Sequence, residues 1–484
     1  MRHTARTTVL LLVALLFTGC AQPEKTYYAI EMAGSPVGFI EIAQRPGETA
    51  DDPKGKTTTH ILMRLTLLGQ PLDLTIHEER RFDPETGRVT YIEGEIRTAQ
   101  GTIGATAEID GNEVQYTPLG GAEASIIRLD PGVFLDEGEI LVHLVEHFDS
   151  GDGEPITIKS FDPSMGRILE RSYKLVEEQA VLSEGAEYEC LLLEMENVTT
   201  GTSERQWIDP ESEMLIRSES SDGTAMYLAD SSIPQRIQRA SIDSLILATV
   251  DAQIEDVQNI SYMKVRAKIR SRGEVVTVEG LNVPGQSFEG IVEHNLIDGV
   301  FEIEHARYDG QNAPAFPPDF GQDPELQPYL GRGFLIDADD PVLIEKAHEL
   351  TEGAENSWDA TRRLASWVGE EIEGAIVLGS SRQVYDSRKG ECAGHTRLFT
   401  AFARAVGIPA RMVSGGTYTG IEGGSFGQHA WSEVWMGSEV GWVPLDTTFR
   451  ESDYVDSGHI RLGGMTGFQP EEIEVLDYRV GLSH

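Results

Sequence analysis

The chain has 484 residues, of which 80 are acidic and 39 are Lys or Arg, so its formal net charge is −41. Nucleic acid phosphates demand a basic footprint, so this balance argues against nucleic acid as a partner. The length suffices for about three domains. A content of 40% hydrophobic and 7% aromatic residues is typical of globular units with aliphatic cores.

The first twenty residues have the organisation of a secretory signal. Arg2 and Arg6 precede an apolar run, residues 9–17, which is too short to span a bilayer, and the segment closes at Cys20. The ending LLFTGC resembles a bacterial lipoprotein signal, which implies that Cys20 becomes the lipidated first residue of the mature chain. Phe17 occupies the third position before Cys20, where leucine is more usual. Cleavage of the signal without attachment of lipid is therefore an alternative. We expect a protein anchored to the cell envelope, on its periplasmic or extracellular face, by two or three acyl chains.

Residues 21–245 are predicted to form a β-rich unit. A hairpin is expected around residues 33–36, and Leu72, Leu74 and Ile76 alternate with polar residues as in a half-buried strand. Turn signals divide the rest into a β meander. One helix interrupts it, with a single apolar stripe formed by Ile140, Leu141, Leu144, Val145 and Phe148.

A shift in composition near residue 245 opens a smaller β segment, residues 246–312. The clearest boundary follows it, because residues 313–328 contain five prolines. Such a stretch is stiff and cannot be a central strand. We therefore predict a Pro-rich linker before a last unit, residues 329–484.

The last unit is predicted to be α+β. Asp340 and Pro341 make a good helix opening, and residues 360–372 carry the apolar stripe of a second helix. A third helix and then an antiparallel sheet follow in the sequence. Helices that precede strands in this way indicate an α+β unit, preceded by the β-rich N-terminal part.

Cys392 lies where the third helix is predicted to begin. Apolar residues recur at helical spacing from Leu398 to Val406, and Gly407 and Pro409 end the pattern. Unpaired backbone N–H groups and the positive end of the helix dipole favour a thiolate there, which is the nucleophilic form. The backbone N–H of Cys392 is also the expected oxyanion donor. The alternative is a small buried apolar cysteine.

An imidazole and a carboxylate follow on two predicted strands, HAWSEVW and GWVPLD. A two-residue turn at residues 437–438 would place His429 directly opposite Asp446. A four-residue turn would instead place Asp446 opposite Trp431, still diagonal to His429. In either register the carboxylate can orient the imidazole while the second ring nitrogen serves the thiol. Cys392, His429 and Asp446 are therefore a candidate acyl-transfer triad.

Residues from about 340 to 450 resemble the transglutaminase-like superfamily, which has a papain-like cysteine fold. The shared pattern is Gly-x-Cys at a helix start, then GIPAR, then His-Ala-Trp-x-Glu-Val, then Trp-Val-x-Leu-Asp-x-Thr. The resemblance implies Cys392 as nucleophile, His429 as base and Asp446 as its orienting residue. Thr447 replaces the usual proline and leaves the triad intact. The family includes protein cross-linkers, peptidases, amidases and members without activity.

Other reactive residue types fit structural roles. His395, one turn after Cys392, is interpreted as a polar helix residue that packs near the cleft. Zinc would need three or four ligands, and no CxxC or HExxH pattern occurs, so we expect no metal and no cofactor. Cys190 lies in an apolar segment typical of a buried strand, and a disulfide with Cys392 would consume the nucleophile. Core or wall positions are expected for Trp358, Trp367, Trp431, Trp435 and Trp442.

The sequence thus predicts an envelope-anchored thiol enzyme that attacks peptide or glutamine-type amides through an acyl-enzyme, with hydrolysis preferred. The alternatives are a protein cross-linking transglutaminase and a scaffold lipoprotein that keeps the triad without catalysis. The expected partners are a peptide or protein substrate and, through Cys20, a membrane.

Overall fold

The computed structural model describes residues 24–481 except 33, 46–54, 68, 84, 100, 120–123, 150–152, 165, 199–201, 221–222, 306, 322, 376–378 and 465. The predicted signal segment and Cys20 lie outside the described residues. Strands dominate the N-terminal part, and helices with an antiparallel sheet form the C-terminal part, which confirms the predicted α+β class. No helix within the described ranges is both long and apolar enough to cross a membrane.

The N-terminal part is a long, mostly antiparallel meander in which neighbouring strands form successive hairpins. Strand β1 lies inside the sheet, between β2 and β15, so the sheet grows outward from β1 in both directions. The elements are β1 (Glu24–Met32), β2 (Ser35–Arg45), β3 (Lys56–Leu67), β4 (Gln70–Phe82), β5 (Val89–Thr98), β6 (Gly101–Asp110), β7 (Glu113–Pro118), β8 (Ser125–Arg128), β9 (Val133–Phe134), α1 (Glu137–Asp149), β10 (Ile156–Asp162), β11 (Arg167–Ser183), β12 (Ala186–Asn197), β13 (Thr202–Asp209), β14 (Met214–Ser220) and β15 (Thr224–Ala229).

Helix α1 covers part of this sheet, because its apolar stripe needs a partner surface. Ile140, Leu144 and Phe148 are buried against Tyr173 and Leu193 of β11 and β12, which confirms the predicted helix and its stripe. An open cavity of about 1390 Å³ lies between α1 and strands β1 to β4 and is lined by both apolar and charged side chains.

The remaining elements build the C-terminal part and the segment before it. They are α2 (Ile233–Arg236), β16 (Ala240–Ser241), α3 (Asp243–Ile246), β17 (Leu247–Thr249), β18 (Ile260–Arg272), α4 (Val278–Leu281), β19 (Gln286–Glu293), β20 (Leu296–Ile303), α5 (Pro341–Thr351), α6 (Ser357–Glu371), β21 (Glu373–Gly374), α7 (Ser381–Ser387), β22 (Lys389–Gly390), α8 (Cys392–Ala405), β23 (Ala410–Thr419), β24 (Ser425–Trp435), β25 (Trp442–Leu445), β26 (His459–Gly463) and β27 (Gly467–Val480).

The segment 246–312 shares its core with the end of the chain. Strand β18 pairs with β20 on one side and with β27 on the other, in a sheet of order β19-β20-β18-β27. Val265 and Phe301 pack in one cluster with Phe426 and Phe468. The predicted boundaries between units stay predictions, but this segment completes a core that contains C-terminal residues.

The Pro-rich segment 313–328 is fastened to helix α6. The backbone N–H of Ser357 donates to the carbonyl of Pro314 at 2.8 Å, and the Ser357 hydroxyl donates to the carbonyl of Ala315 at 2.9 Å. Phe316 packs against the core of the helices. The segment is therefore docked on the C-terminal unit along this part of its length.

Helices α5 to α8 pack against a sheet of order β17-β24-β23-β26, with β25 beside β24. Asp340 caps α5 as predicted, because its carboxylate accepts from the N–H groups of Val342 at 2.8 Å and Leu343 at 3.2 Å. Phe399 and Phe402 of α8 are fully buried in the shared core. This packing fixes the start of α8 next to strand β24.

Candidate active site

Cys392 is the first residue of helix α8, as the sequence predicts. The side chain of Glu391 caps the helix by accepting from the N–H of Gly394 at 3.2 Å. A Cβ atom at Gly390 would lie 3.3 Å from both Gly394 and Val384, which accounts for the glycine two residues before the cysteine. The thiol is free and partly exposed, so a substrate can reach it.

A hydrogen bond between α8 and strand β24 brings the thiol to the imidazole. The hydroxyl of Thr396, one turn after Cys392, donates to the carbonyl of Ala430 at 3.1 Å. His429 is the neighbouring residue on β24 and is 5% exposed. Its ring stacks on Phe449 with centroids 4.7 Å apart and an angle of 8° between the ring planes. The imidazole is therefore held in one orientation beside the helix start.

Asp446 completes the arrangement at the end of β25. Its Oδ2 atom lies 2.7 Å from Nε2 of His429, and Oδ1 accepts from the N–H of Thr448 at 2.8 Å. The carboxylate is fully buried. Because Nε2 faces the carboxylate, Nδ1 of His429 is left to serve the thiol of Cys392.

The register of the hairpin corrects one of the two turns considered from the sequence. Trp435 pairs with Trp442 and Ser432 with Leu445, so the two-residue turn at 437–438 is wrong and the four-residue alternative is right. Gly437 and Gly441 both have positive φ angles, and the N–H of Gly441 donates to the carbonyl of Gly437 at 2.7 Å. A glycine at each end of the loop is what allows the longer turn to close.

The electrostatics of the site favour an imidazolium. Burial alone would lower the pKa of His429, but the Asp446 carboxylate and the Cys392 thiol outweigh it and raise that pKa to about 9. Burial would likewise raise the pKa of Asp446, yet His429 and His459 hold it well below its usual range. A protonated His429 at neutral pH is the partner that a thiolate needs.

Three buried residues beside the triad were not predicted from the sequence. Nε2 of His459 lies 3.3 Å from Oδ2 of Asp446, and Nδ1 of His459 lies 3.4 Å from Oδ2 of Asp456. Glu451 accepts from the N–H of Asp456 at 3.2 Å and is fully buried. Glu451 and Asp456 lie in irregular chain after Asp446, His459 opens β26, and β26 comes beside β23 only through the tertiary fold. No local signal in the sequence could have found them.

Two groups of ligand-type side chains occur here, His429 with Asp446 and His459, and Glu451 with Asp456 and His459. In each, the candidate ligand atoms lie within 4.8 Å of one another. Both ring nitrogens of His459 are directed at oxygen acceptors, so neither presents a lone pair to a cation. We interpret these residues as a hydrogen-bonded cluster of titratable side chains.

The glutamate of the HAWSEV segment, Glu433, has a structural role that the sequence did not reveal. Glu433 is buried and accepts from Arg411 of the GIPAR segment at 2.7 Å and from Arg461 of β26 at 2.7 Å. These ion pairs tie β23, β24 and β26 together, and β24 and β26 carry the two histidines. Glu433 therefore supports the site from the far end of the same strand.

The other reactive residue types hold structural positions. His395 is buried, with one ring nitrogen 3.0 Å from the carbonyl of Glu391 and the other 3.1 Å from that of Ile372. Cys190 is buried and free, and burial raises its pKa to about 12. The two described cysteines are thus both thiols.

The tryptophans form core and wall, as predicted. Trp358 is buried in the helical core and Trp367 packs against it. Trp431 lies beside the ring of His429, with centroids 6.1 Å apart. Trp435 and Trp442 make an edge-to-face pair beyond the site.

Comparison with known proteins gives the family of this region. Residues 344–447 match the transglutaminase-like superfamily, so the chain contains a domain of that superfamily, whose members are usually cysteine-dependent enzymes. A protein-glutamine gamma-glutamyltransferase from Pseudomonas aeruginosa is 36% identical over 76 residues, or 14% of this chain and 11% of that enzyme. The chain thus matches only a small part of the length of this curated relative.

Solved structures show distant likeness. A protein from Cytophaga hutchinsonii inferred to be a cysteine protease covers 46% of this chain and 92% of its own, at 16% identity and a TM-score of 0.33. A β-barrel-like domain of unknown function from Brucella abortus covers 43% of this chain and 96% of its own, at 10% identity and a TM-score of 0.33.

Proposed function

We propose that the protein is an acyl-transfer enzyme that cleaves peptide or glutamine-type amides through a thioester on Cys392. The thiolate attacks the amide carbonyl, the C–N bond breaks, and the leaving amine takes a proton from His429. Water then gives a proton to His429 as it attacks the thioester. This step releases the carboxylic acid and restores the thiolate and imidazolium pair.

The observation that carries the proposal is the 2.7 Å contact between His429 and a buried carboxylate, next to a thiol at a helix start. Asp446 fixes which ring nitrogen faces Cys392, and stacking on Phe449 fixes the plane of the ring. This is the arrangement of nucleophile, base and orienting group that acyl transfer requires.

The test is to trap the thioester. The protein is mixed with a panel of glutamine-containing peptides and peptide amides, quenched in acid, digested and analysed by mass spectrometry. An acyl group on the peptide that contains Cys392 is the expected result. Acyl groups absent from Cys392 across the panel, while product still forms, would contradict the assignment.

The group that accepts the acyl chain, water or an amine, distinguishes hydrolysis from transamidation. Transamidation is the second candidate function, because the curated relative is named as a glutamyltransferase. Addition of a primary amine to the unquenched reaction is expected to leave the free acid as the main product. Products dominated by the amine adduct would assign the protein as a cross-linking enzyme.

A scaffold role without catalysis is the remaining alternative, since the strands before residue 245 offer a large docking surface. The candidate triad supports an enzyme over a scaffold, because a scaffold has no use for an imidazole that a buried carboxylate orients beside a thiol. A Cys392 thiol no more reactive toward electrophiles than an ordinary surface cysteine would favour the scaffold.

We also propose that Cys20 anchors the protein to the cell envelope, on the basis of the sequence LLFTGC. Exchange of Cys20 for serine is expected to move the protein from the membrane fraction to the soluble fraction, because the acyl chains are lost. Mass spectrometry of the parent should find an N-terminal diacylglyceryl cysteine. An unmodified Cys20, or membrane association that survives the exchange, would contradict the anchor.

A further inference from the structure

A second histidine shares the carboxylate of the candidate triad. Oδ2 of Asp446 faces Nε2 of His429 at 2.7 Å and Nε2 of His459 at 3.3 Å. His459 is the first residue of β26, where it pairs with Thr417 of β23, and it is fully buried. The position of its ring is therefore set by the central sheet.

Both ring nitrogens of His459 face oxygen acceptors. Nδ1 lies 3.1 Å from the carbonyl oxygen of Asp456 and 3.4 Å from its carboxylate, while Nε2 faces Asp446. An imidazole so placed satisfies both acceptors only when both nitrogens carry protons. Burial lowers the pKa of His459, but the two aspartates outweigh it and hold that pKa well above the usual range.

Because two of its titratable neighbours, Glu451 and His305, are neutral, His459 is the positive charge between the carboxylates of Asp446 and Asp456. Burial and Asp456 raise the pKa of Glu451 to about 9, so Glu451 is neutral at pH 7. Burial and His459 lower the pKa of His305 to about 4, so His305 is neutral as well. The titratable groups that face His459 are Asp446, Asp456, Glu451, His429 and His305, and the aromatic rings of Trp431 and Phe449 flank it.

We propose that His459 is a positioning residue of the triad, whose imidazolium holds Oδ2 of Asp446 toward His429 and offsets part of its negative charge. Because less negative charge then faces Nε2 of His429, the ring gives up its proton to the leaving amine more readily. Asp456 in turn keeps His459 protonated. The inference rests on the proposed function for its catalytic consequence, but the protonation states can be measured without turnover.

The experiment is a titration of the histidine rings by NMR on full-length protein labelled with ¹⁵N-histidine. Exchange of His459 for glutamine removes the cation, so the pKa of His429 is expected to rise by about one pH unit. The pH at which kcat falls on the alkaline side of its profile should increase by the same amount. The control is His305→Gln, which removes another histidine near His459 and is expected to leave the titration of His429 in place.

An unchanged or lowered pKa of His429 in the folded His459→Gln variant would overturn the proposal. If that variant does not fold, the parent protein decides, because both ring nitrogens of His459 should carry protons at pH 7. A neutral ring, or a ring nitrogen whose signal changes on treatment with a chelator, would contradict it. A protein without any acyl-enzyme would refute the proposed function and still leave this titration readable.

Discussion

The Cys392→Ala variant is expected to form no thioester and to lose peptide amide cleavage by about 10⁴-fold or more. The reason is that Cys392 lies at a helix start beside the oriented imidazole of His429, whereas Cys190 is buried in the N-terminal sheet. The helix should survive the exchange, because alanine is a better helix former than cysteine. Amine release from peptide substrates measures the loss.

The matched control for this variant is Cys190→Ala, which removes the other described thiol from a position far along the chain. We expect it to retain the turnover of the parent at temperatures where it is folded, because its effect is confined to core packing. Residual turnover in Cys392→Ala equal to that of the parent would show that another group performs the chemistry.

The Asp446→Asn variant is expected to lower kcat by about 10³ to 10⁴-fold while substrate binding changes little. An amide cannot hold the positive charge of His429, so the pKa of that ring should fall from about 9 toward its ordinary value. Asparagine can also turn its N–H₂ group toward the ring and favour the wrong tautomer. The expected result is a low kcat that starts to fall, on the alkaline side of its pH profile, well below pH 9.

Asp337→Asn serves as the control for Asp446→Asn. Asp337 is also buried and accepts from Arg332 at 3.0 Å and from the Ser381 hydroxyl at 3.1 Å, away from the candidate triad. This exchange should cost stability without moving the pH profile of kcat. Equal kcat losses in the two variants would mean that Asp446 acts on folding alone.

Features that depend on neighbouring residues could be predicted from the sequence. The apolar spacing after Cys392 gives the helix, and the alternation around His429 gives the strand. The sequence allowed a two-residue or a four-residue turn after β24. The protein forms the four-residue turn, which Gly441 closes with its positive φ angle. Either turn leaves Asp446 within reach of His429, so this error did not affect the candidate site.

Features that depend on distant pairing could not be predicted. Strand β18 pairs with β27 across about two hundred residues, and nothing in either strand specifies the other. The same holds for His459, which reaches Asp446 only because β26 joins β23. The docking of the Pro-rich segment on Ser357 depends on two hydrogen bonds, one from its backbone N–H and one from its hydroxyl, that composition does not encode.

The central claim is that the Cys392 thiolate is paired with an imidazolium of His429. The most direct test is the rate at which iodoacetate alkylates Cys392 from pH 4 to 11, in the parent and in His429→Ala. Because the imidazolium attracts the anionic reagent, the parent is expected to show a bell-shaped profile whose upper limb falls near pH 9, where His429 loses its proton. The variant should show a single rise with pH. Profiles of the same shape in both proteins would contradict the account.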